Sequence, residues 1–416
     1  MADGMNKPAI RFAGFTDAWE QRKLGELVDR VVRKNTNNES TLPLTISAQY
    51  GLVDQITYFN NRVASRDVSN YYLVLNGEFA YNKSTSDGYP FGAVKRLDLY
   101  EKGVLSTLYI VFSPKKEQQI DSDFLTVFFD TDRWHKGVAE RAAEGARNHG
   151  LLNISAEDFF DIDLSVPKDV AEQKQIGAFI RQLDHLITLH QREYAKLVNI
   201  KASMLEKMFP KDGSAYPEVR FAGFTDAWEQ RKLEDYLTVS TEKNTGNIYG
   251  RSDVLSVSGD YGIVNQIEFQ GRSFAGASVS NYGVVQTGDV VYTKSPLNSN
   301  PYGIIKTNKG KPGIVSTLYA VYHPKENAFS DFIQVYFEQH ARMNNYMHPL
   351  VNKGAKNDMK VSAENALKGP VCFPSRVEQE SISAFFSVLD NLITLHQRKL
   401  EKLQNIKKSM LEKMFV

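Results

Sequence analysis

Short segments that place a basic residue beside an amide or a hydroxyl recur in both halves of the chain. Arg and Lys can contact phosphate or the O6 and N7 atoms of guanine, and Asn can pair with adenine. Because the segments lie in stretches typical of loops, they are candidates for contact with DNA. The candidate residues are Lys34, Asn35, Tyr81, Lys83, Ser84, Arg147 and Asn148 in the first half, and Lys243, Asn244, Tyr292, Lys294, Ser295, Lys356 and Asn357 in the second.

Each segment by itself is also what a solvated loop presents, and that interpretation is favoured for any one of them. Their recurrence in both halves favours a function, although a shared requirement of the fold would produce it too. The chain has 50 Lys and Arg against 49 Asp and Glu, for a net charge of +1. Contact with a nucleic acid would therefore rest on local patches, since there is no global basic field.

The sequence has none of the motifs typical of an enzyme that acts alone. It contains no G-x-x-x-x-G-K-[ST] loop, no G-x-G-x-x-G after a strand-like run, and no H-E-x-x-H or cysteine cluster. Cys372, in an apolar Val-Cys-Phe-Pro run, is typical of a small buried residue. Asn300-Pro301-Tyr302-Gly303 is similar to the N-P-P-[YF] site of amino-directed methyltransferases but lacks its second proline, so we interpret it as a β-turn.

The chain is an internal duplication. Residues 11–24 and 220–233 have the same sequence, RFAGFTDAWEQRKL, and residues 183–209 and 389–415 differ at six of 27 positions. Between these blocks the two copies diverge but keep short landmarks in the same order. Near-identical ends and divergent middles predict one scaffold that carries two different recognition surfaces.

The middle of each copy predicts a mixed α/β globule. In the first copy, Tyr71–Leu75, Glu78–Tyr81 and Leu108–Phe112 are rich in aromatic and β-branched residues and predict strands. Ser122–Thr131 and Arg133–Ala143 predict helices.

Each copy ends in the pattern of a long amphipathic helix, which follows Val166-Pro167 or Phe373-Pro374. Two such helices related by a twofold axis would pack antiparallel. The sequence therefore predicts an α+β fold in which two pseudo-twofold-related mixed α/β globules are separated by two long helices that form an antiparallel, coiled-coil-like spacer. The predicted seam is Leu183, Leu186, His190, Leu197, Ile200 and Met204 in the first helix, and Leu389, Leu392, His396, Leu403, Ile406 and Met410 in the second.

The repeated N-terminal block predicts local structure of its own. Asp17 and Glu20 have the spacing of a capping box, which predicts the start of a helix. Phe12, Phe15 and Trp19 predict an aromatic cluster that seats the globule on the base of the long helix. A surface for a partner is the less favoured alternative.

Composition favours a soluble protein of the cytoplasm. Apolar residues make up 42% of the chain, enough for a core, and one cysteine excludes an internal disulfide framework. The first residues have no apolar run typical of a secretory signal, and no stretch approaches the length of a membrane span.

The whole pattern resembles the specificity subunit of type I restriction–modification systems. The resemblance rests on the repeated F-x-G-F-x-x-x-W-E-Q-R-K-L block, on the long helices, and on Tyr81-Asn82-Lys83-Ser84, Val104-Leu105-Ser106-Thr107-Leu108-Tyr109 and Gly145-Ala146-Arg147-Asn148 with their second-copy equivalents. It covers essentially the whole chain. It implies target recognition domains at 1–167, including the block at 8–24, and at 220–374, spacer helices at 168–209 and 375–416, and a linker at 210–219.

The resemblance also implies a division of labour in which this chain is not an enzyme by itself. Each recognition domain would read one half of an asymmetric bipartite site in double-stranded DNA. The helices would set the gap between the halves and dock two modification subunits, which methylate adenine. Two restriction subunits would add ATP-driven translocation and nuclease activity. S-adenosylmethionine, ATP and Mg would belong to these partners, with no cofactor or metal in this chain and no membrane contact.

Three other interpretations stay open at this point. A methylation-only system would use the same specificity subunit without a restriction partner. A non-DNA scaffold would carry two interaction domains on a helical strut. A DNA-modifying enzyme in its own right is disfavoured by the missing cofactor and metal motifs.

Overall fold

The protein, represented by a computed structural model, is described over residues 6–47, 50–86, 88–117, 119–142, 150, 152–211, 213–294, 300–353 and 359–416; for 352–353 and 359–360 the description covers the backbone alone. The chain divides into two units. Unit 1 comprises Met1–Gln191 and Arg398–Val416, and unit 2 comprises Arg192–Gln397. Each unit therefore contains one globule, the first part of one long helix and the last part of the other.

The first copy supplies ten strands and six helices. They are β1 (Glu20–Lys23), α1 (Leu24–Leu27), β2 (Val28–Arg30), β3 (Leu44–Ser47), β4 (Gly51–Asp54), α2 (Gln55–Phe59), β5 (Tyr72–Leu75), β6 (Phe79–Asn82), β7 (Ala93–Arg96), β8 (Lys102–Leu105), β9 (Ile110–Pro114), α3 (Ser122–Phe128), α4 (His135–Arg141), α5 (Ala156–Phe160), β10 (Asp163–Val166) and the long α6 (Val170–Lys207), within the described residues.

The second copy repeats this order, with three short 3₁₀ turns at Leu233–Asp235, Arg251–Asp253 and Asn365–Leu367. Its elements are β11 (Glu229–Lys232), β12 (Leu237–Val239), β13 (Leu255–Ser258), β14 (Gly262–Asn265), α7 (Gln266–Gln270), β15 (Gly283–Val285), β16 (Val290–Thr293), β17 (Ile305–Thr307), β18 (Gly313–Val315), β19 (Tyr319–Pro324), α8 (Ser330–Glu338), α9 (His340–Met347), β20 (Asn352–Lys353), β21 (Met359–Lys360), β22 (Pro370–Phe373) and the long α10 (Arg376–Met414).

Both units build the same antiparallel sheets from equivalent strands. The central sheet has the order β2-β9-β6-β7 in unit 1 and β12-β19-β16-β17 in unit 2. The pairs β3-β4 and β5-β8, with β13-β14 and β15-β18 as their equivalents, add further ladders. Apolar faces of the central sheets pack against helices in two aromatic-rich cores, one in each unit. The predicted mixed α/β fold with two long helices is confirmed.

The repeated N-terminal block forms a strand, so the helix start predicted from Asp17 and Glu20 is wrong. Glu20 begins β1 and lies opposite Val166 of β10, and Glu229 lies opposite Phe373 in the same way. The Glu-Gln-Arg-Lys backbone satisfies its hydrogen bonds by pairing with the strand that precedes the long helix. This tertiary pairing outweighs the local capping signal.

A buried carboxylate joins this block to the long helix. Arg11 donates two hydrogen bonds to Glu172, at 2.6 and 2.8 Å, and the indole Nε1 of Trp19 lies 3.4 Å from the same carboxylate. Hydrogen bonding to Glu172 raises the pKa of Arg11. Trp19 is buried in the unit 1 core, which confirms that it seats the globule on the helix; Phe12 packs against Phe179 of the same helix. Phe15 does not join that core.

Unit 2 repeats the arrangement with nearly the same distances. Arg220 donates to Glu378 at 2.7 and 2.8 Å, and Trp228 Nε1 lies 3.4 Å from that carboxylate. Because Arg and Trp come from the identical block and Glu from the start of each helix, the two copies fold by the same local rule.

Within each unit the two long helices pack antiparallel. In unit 1 the first turn of α6 and Phe415, just after α10, both contact Trp19, whereas Asp184 pairs with Lys407 at 2.7 Å. In unit 2 the first turn of α10 and Phe209 both contact Trp228, and Lys201 pairs with Asp390 at 2.6 Å.

The residues of the predicted helix seam differ in burial. Leu183 and Leu389 are buried. Leu403, Ile406 and Met410 pack on the unit 1 core, and Leu197, Ile200 and Met204 pack on the unit 2 core. Leu186, His190 and His396 are half-buried. Leu392 is 38% exposed, because the globule, not only the other helix, determines which face of α10 is covered.

Candidate nucleic-acid interface

The predicted segment at Lys83 and Ser84 lies beside Gly150 and Leu152 in unit 1. Lys83 and Ser84 follow β6, and the loop that precedes α5 returns to them. The amide of Leu152 donates to the carbonyl of Lys83 at 3.0 Å, and the amide of Thr85 donates to the carbonyl of Gly150 at 2.6 Å. Arg147 and Asn148 lie outside the described residues.

Lys83 is half-buried, and its ammonium donates to the carbonyl of Ile154 at 3.4 Å. This long bond leaves the charge beside Ser84, whose side chain is exposed. The Lys83 side chain is half-buried, and its ammonium lies beside the exposed Ser84 hydroxyl. This arrangement suits contact with a phosphate or with the edge of a base.

The equivalent position of unit 2 is Lys294, at the end of β16 and also half-buried. Hydrogen bonds from its own amide and from Ser362 lower the pKa of Glu364, and the charge of Lys294 adds to this shift. The ammonium of Lys294 therefore lies near the segment that leads to β22. Ser295, Lys356 and Asn357 lie outside the described residues.

Tyr81 and Tyr292 are core residues, and the prediction that they contact DNA is wrong. Both are almost completely buried, and burial raises the pKa of each phenol. Tyr81 stacks on Phe159 with centroids 4.3 Å apart. The hydroxyl of Tyr81 donates to the carbonyl of Phe91 at 2.9 Å, and that of Tyr292 donates to the carbonyl of Tyr302 at 2.7 Å.

These two phenols fix the turns that follow the candidate loops. The amide of Gly303 donates to the carbonyl of Asn300 at 3.0 Å, which confirms the β-turn interpretation of Asn300 to Gly303. Gly92 and Gly303 have φ of 77° and 80°. A Cβ at these positions would lie 2.1 Å from the carbonyl oxygen of Asn82 and 1.9 Å from that of Thr293, so only glycine fits.

Asn35 and Asn244 are also structural, which corrects their assignment as base-reading residues. Both are buried. The Asn35 amide donates to the carbonyl of Ser40 at 2.8 Å and accepts from its backbone amide at 3.1 Å. Asn244 makes the same pair of bonds to Tyr249, at 2.8 and 3.1 Å. A side chain with these bonds satisfied inside the loop has no group left to present to DNA.

The neighbouring lysines differ between the units. The Lys34 ammonium donates to the carbonyl of Asn70 at 2.9 Å and lies 4.2 Å above the ring of Tyr72. Lys243 is exposed. Of the residues predicted from this segment, Lys243 is thus placed for contact with solvent or a ligand, whereas Lys34 is largely engaged by its own domain.

Comparison with known proteins identifies the architecture. Residues 17–199 match the family model of the type I restriction modification DNA specificity domain. A curated relative, the type I restriction enzyme MjaX specificity subunit of Methanocaldococcus jannaschii, is 20% identical over 94% of this chain and 92% of its own length. The crystal structure of a type I restriction–modification S subunit from M. genitalium has a TM-score of 0.58 at 12% identity and covers 99% of both chains, which shows a shared fold.

The first copy therefore carries a domain similar to the type I restriction modification DNA specificity domain, and the whole chain shares the fold of a type I S subunit. The match at 17–199 falls on the first copy, and the duplication carries the same scaffold into the second.

Local sequence motifs did not indicate two charged clusters in which the long helices contact the globules. Lys95, Asp130, Asp184 and Lys407 form one cluster in unit 1, and Lys306, Glu338, Asp390 and Lys201 form its equivalent in unit 2. The sequence does contain a sign of these clusters, because their eight residues occupy corresponding positions in the two copies. In each cluster one long helix supplies an Asp and the other supplies a Lys.

Among the described residues there is no group of three or more His, Cys, Asp or Glu placed to hold a metal ion, and no helix long and apolar enough to cross a membrane. Cys372 is half-buried in β22, and burial raises the pKa of its thiol, which disfavours the thiolate.

Proposed function

We propose that this chain selects the DNA sequence for a type I restriction–modification complex and does no chemistry itself. Each globule acts as a target recognition domain for one half of an asymmetric bipartite site. The two long helices set the gap between the halves and dock two modification subunits. Two restriction subunits join that core, and the partners hold S-adenosylmethionine, ATP and Mg.

The observation that carries the proposal is the matched position of Lys83 and Lys294. Each lysine directly follows a central strand of an equivalent sheet, and in unit 1 the segment from Lys83 to Thr85 is hydrogen bonded to Gly150 and Leu152. The surrounding loops differ in sequence between the copies. One scaffold with a common cation and different neighbours suits a pair of domains that bind the same DNA backbone but read different bases.

Docking on the helices is supported by their exposed apolar residues. Val388, Leu392 and Leu395 are exposed on α10, and Leu189 is exposed on α6. Their spacing along α10 places them on one stripe. Surface of this kind on a long helix is typical of contact with another protein.

The test is co-expression with the modification subunit of the same system, followed by sequencing that maps methylated adenines. A two-part asymmetric motif with a constant gap is the expected result. A folded chain that forms no complex with the modification subunit and does not bind DNA would refute the proposal and leave the scaffold interpretation. Adding the restriction subunit to the active complex then separates a complete system from a methylation-only one, through ATP-dependent cleavage of unmethylated DNA.

A further inference from the structure

Unit 2 contains a pocket of about 670 Å³ between the β13-β14 hairpin and the loop that follows β17. Leu255 of β13 and Ile263 of β14 form part of its apolar wall, and Asn265, the last residue of β14, also lines it. Residues 308 and 310–312 form the loop side. This volume lies in the range of pockets that bind small molecules, and the proposed function assigns no role to it.

Unit 1 places a tyrosine ring of its own against the equivalent wall. Tyr100 packs on the apolar cluster that contains Leu44 and Leu52 of the β3-β4 hairpin. The hydroxyl of Tyr100 accepts a hydrogen bond from the amide of Asp54 at 3.3 Å. The register of the two hairpins aligns these three hairpin residues with Leu255, Ile263 and Asn265 of the pocket wall.

The loop of unit 2 has no ring at this position. The Asn76 side chain donates to the carbonyl of Tyr100 at 3.0 Å, and the hydroxyl of Thr287, its equivalent, donates to the carbonyl of Gly310 at 2.7 Å. Gly310 therefore stands where unit 1 has Tyr100. A Cβ at Gly310 would have the side-chain oxygen of Asn308, at 3.6 Å, as its nearest neighbour among the described residues, so the position has room for a side chain.

A buried asparagine holds this loop in place. The Asn308 side chain donates to the carbonyls of Gln286 and Lys311 at 3.1 Å each and accepts from the amide of Gly310 at 3.1 Å. Asn308 is 1% exposed, so losing these bonds would leave a buried amide unsatisfied. The loop is therefore fixed in a shape that leaves the pocket open.

A backbone N–H group points out of the hairpin on the side of the pocket. The amide of Gln266 donates across the hairpin at 2.9 Å. Because hydrogen-bonded pairs alternate along an antiparallel ladder, the next pair, Leu255 and Asn265, is not hydrogen bonded, and the amide of Asn265 points away from β13. The same alternation in unit 1 directs the amide of Asp54 to the hydroxyl of Tyr100.

We infer that this pocket binds a small para-substituted phenol. The ring lies on Leu255 and Ile263, and its oxygen accepts a hydrogen bond from the amide of Asn265, as Tyr100 does within unit 1. The para substituent extends to the opening, where Glu268 and Lys311 are exposed and offer one charge of each sign. The inference goes beyond the proposed function, because it concerns a ligand held inside one globule.

The test titrates the full chain with tyramine, a para-substituted phenol, and with phenethylamine, which has the same substituent and ring without the oxygen. Calorimetry should find one tyramine per chain with a dissociation constant on the order of 1 mM, typical of so small a ligand. Phenethylamine should bind about five-fold more weakly, because it cannot accept the bond from the Asn265 amide.

Variants at the two equivalent positions locate the site. Gly310→Tyr supplies the ring from the chain itself, so tyramine binding should weaken at least about ten-fold. Gly310→Ala, which adds a Cβ without a ring, is the matched control and should bind tyramine as the native chain does. Tyr100→Gly opens the equivalent space in unit 1 and should raise the number of tyramine sites from one to two.

Three results would overturn the inference. A native chain that binds no tyramine at about ten times the expected dissociation constant has no such site. Equal affinity for tyramine and phenethylamine would show that a phenol is not the ligand class. Both results come from the native chain and do not depend on the folding of a variant. Unchanged tyramine binding by a folded Gly310→Tyr variant would place the ligand elsewhere.

Discussion

Lys83 and Lys294 are the described cations best placed for recognition. Replacing Lys83 with Ala should weaken binding to the first half-site by about ten-fold, because one contact with phosphate or a base edge is removed. If that contact is with phosphate, the slope of log affinity against log salt should fall by about one. Gel-shift titration of the assembled complex at several salt concentrations measures both quantities.

Lys294→Ala is the matched control, because it should act on the other half-site. Mapping of methylated adenines reports which half loses selectivity. Both variants should still bind two modification subunits. If either variant fails to assemble, the lysine is a structural residue and its assignment to DNA recognition is wrong.

Replacing Asn35 should change the stability of the domain and leave its half-site preference unchanged. Asn35→Ala leaves the Ser40 amide and carbonyl without their partner in a buried loop, and should lower the free energy of unfolding by about 1–3 kcal/mol. Chemical denaturation measures this loss, and Asn37→Ala, at an exposed position of the same loop, is the control. A changed half-site preference without loss of stability would restore Asn35 as a reader of bases.

At the scale of elements, the charged clusters tie each globule to both long helices. Lys407 of α10 lies 2.7 Å from Asp184 of α6 and 3.5 Å from Asp130, which follows α3. Lys95 of β7 pairs with the same Asp130 at 2.7 Å. Lys407 therefore connects the two helices to the central sheet, because Asp130 pairs with both Lys407 and Lys95.

In unit 2 the carboxylate of the equivalent cluster has fewer close partners for its oxygens. Lys201 contacts Glu338 at 2.9 Å, but Lys306 is 3.9 Å from that carboxylate, and Oε2 of Glu338 is buried with no hydrogen-bond partner among the described residues. Burial lowers the pKa of Lys306. An incompletely paired cluster contributes less stability than its unit 1 equivalent.

Lys407→Ala should therefore destabilise unit 1 by about 2–4 kcal/mol, because two carboxylates lose their shared cation. Burial by itself would lower the pKa of Lys407, but Asp130 and Asp184 outweigh it and raise the pKa above 10.5. A raised lysine pKa contributes stability that is fully present below 10.5 and is lost as the pH rises through the raised value.

Urea denaturation at neutral pH measures the effect, with Lys408→Ala, at an exposed neighbouring position, as the control. The double variant Lys407→Ala/Asp184→Ala should lose less than the sum of the two single variants. Strict additivity would show that the pair does not interact. A loss at Lys407 that persists undiminished above the raised pKa would point to packing instead of charge.

At the scale of the whole molecule, the proposed ruler can be tested by lengthening both helices. The first turns of α6 pack on the unit 1 core through Ile176, Ile180 and Leu183. An insertion before Leu183 would therefore disturb a globule. The boundary between the units, after Gln191 and after Gln397, is the better position.

One helical turn added at both boundaries lengthens each helix by about 5.4 Å, against about 3.4 Å per base pair. The preferred gap should grow by roughly one to two base pairs, and both half-sequences should stay the same. Methylation mapping of the lengthened complex reports gap and half-sites together. An unchanged gap in a folded, active complex would refute the ruler.

Repeated blocks and helical periodicity predict the large-scale organisation of the protein from the linear chain. Near-identical blocks at residues 11–24 and 220–233, and the two apolar helix patterns, predicted a duplicated scaffold with two long helices. These features follow from repetition and helical periodicity, which are properties of the linear chain. The strands at Tyr72–Leu75 and Phe79–Asn82 lie within a residue or two of their predicted bounds, because aromatic and β-branched residues are concentrated in them.

Which candidate residues face solvent depends on the tertiary structure. Tyr81 and Asn35 stand in the same motifs as Lys83 and Lys34, yet both are buried and bonded within the domain. The Glu-Gln-Arg-Lys segment became a strand because a partner strand lay beside it, and Leu392 is exposed because the globule covers a different face of α10. Burial and pairing depend on residues distant in sequence, so local spacing does not determine them.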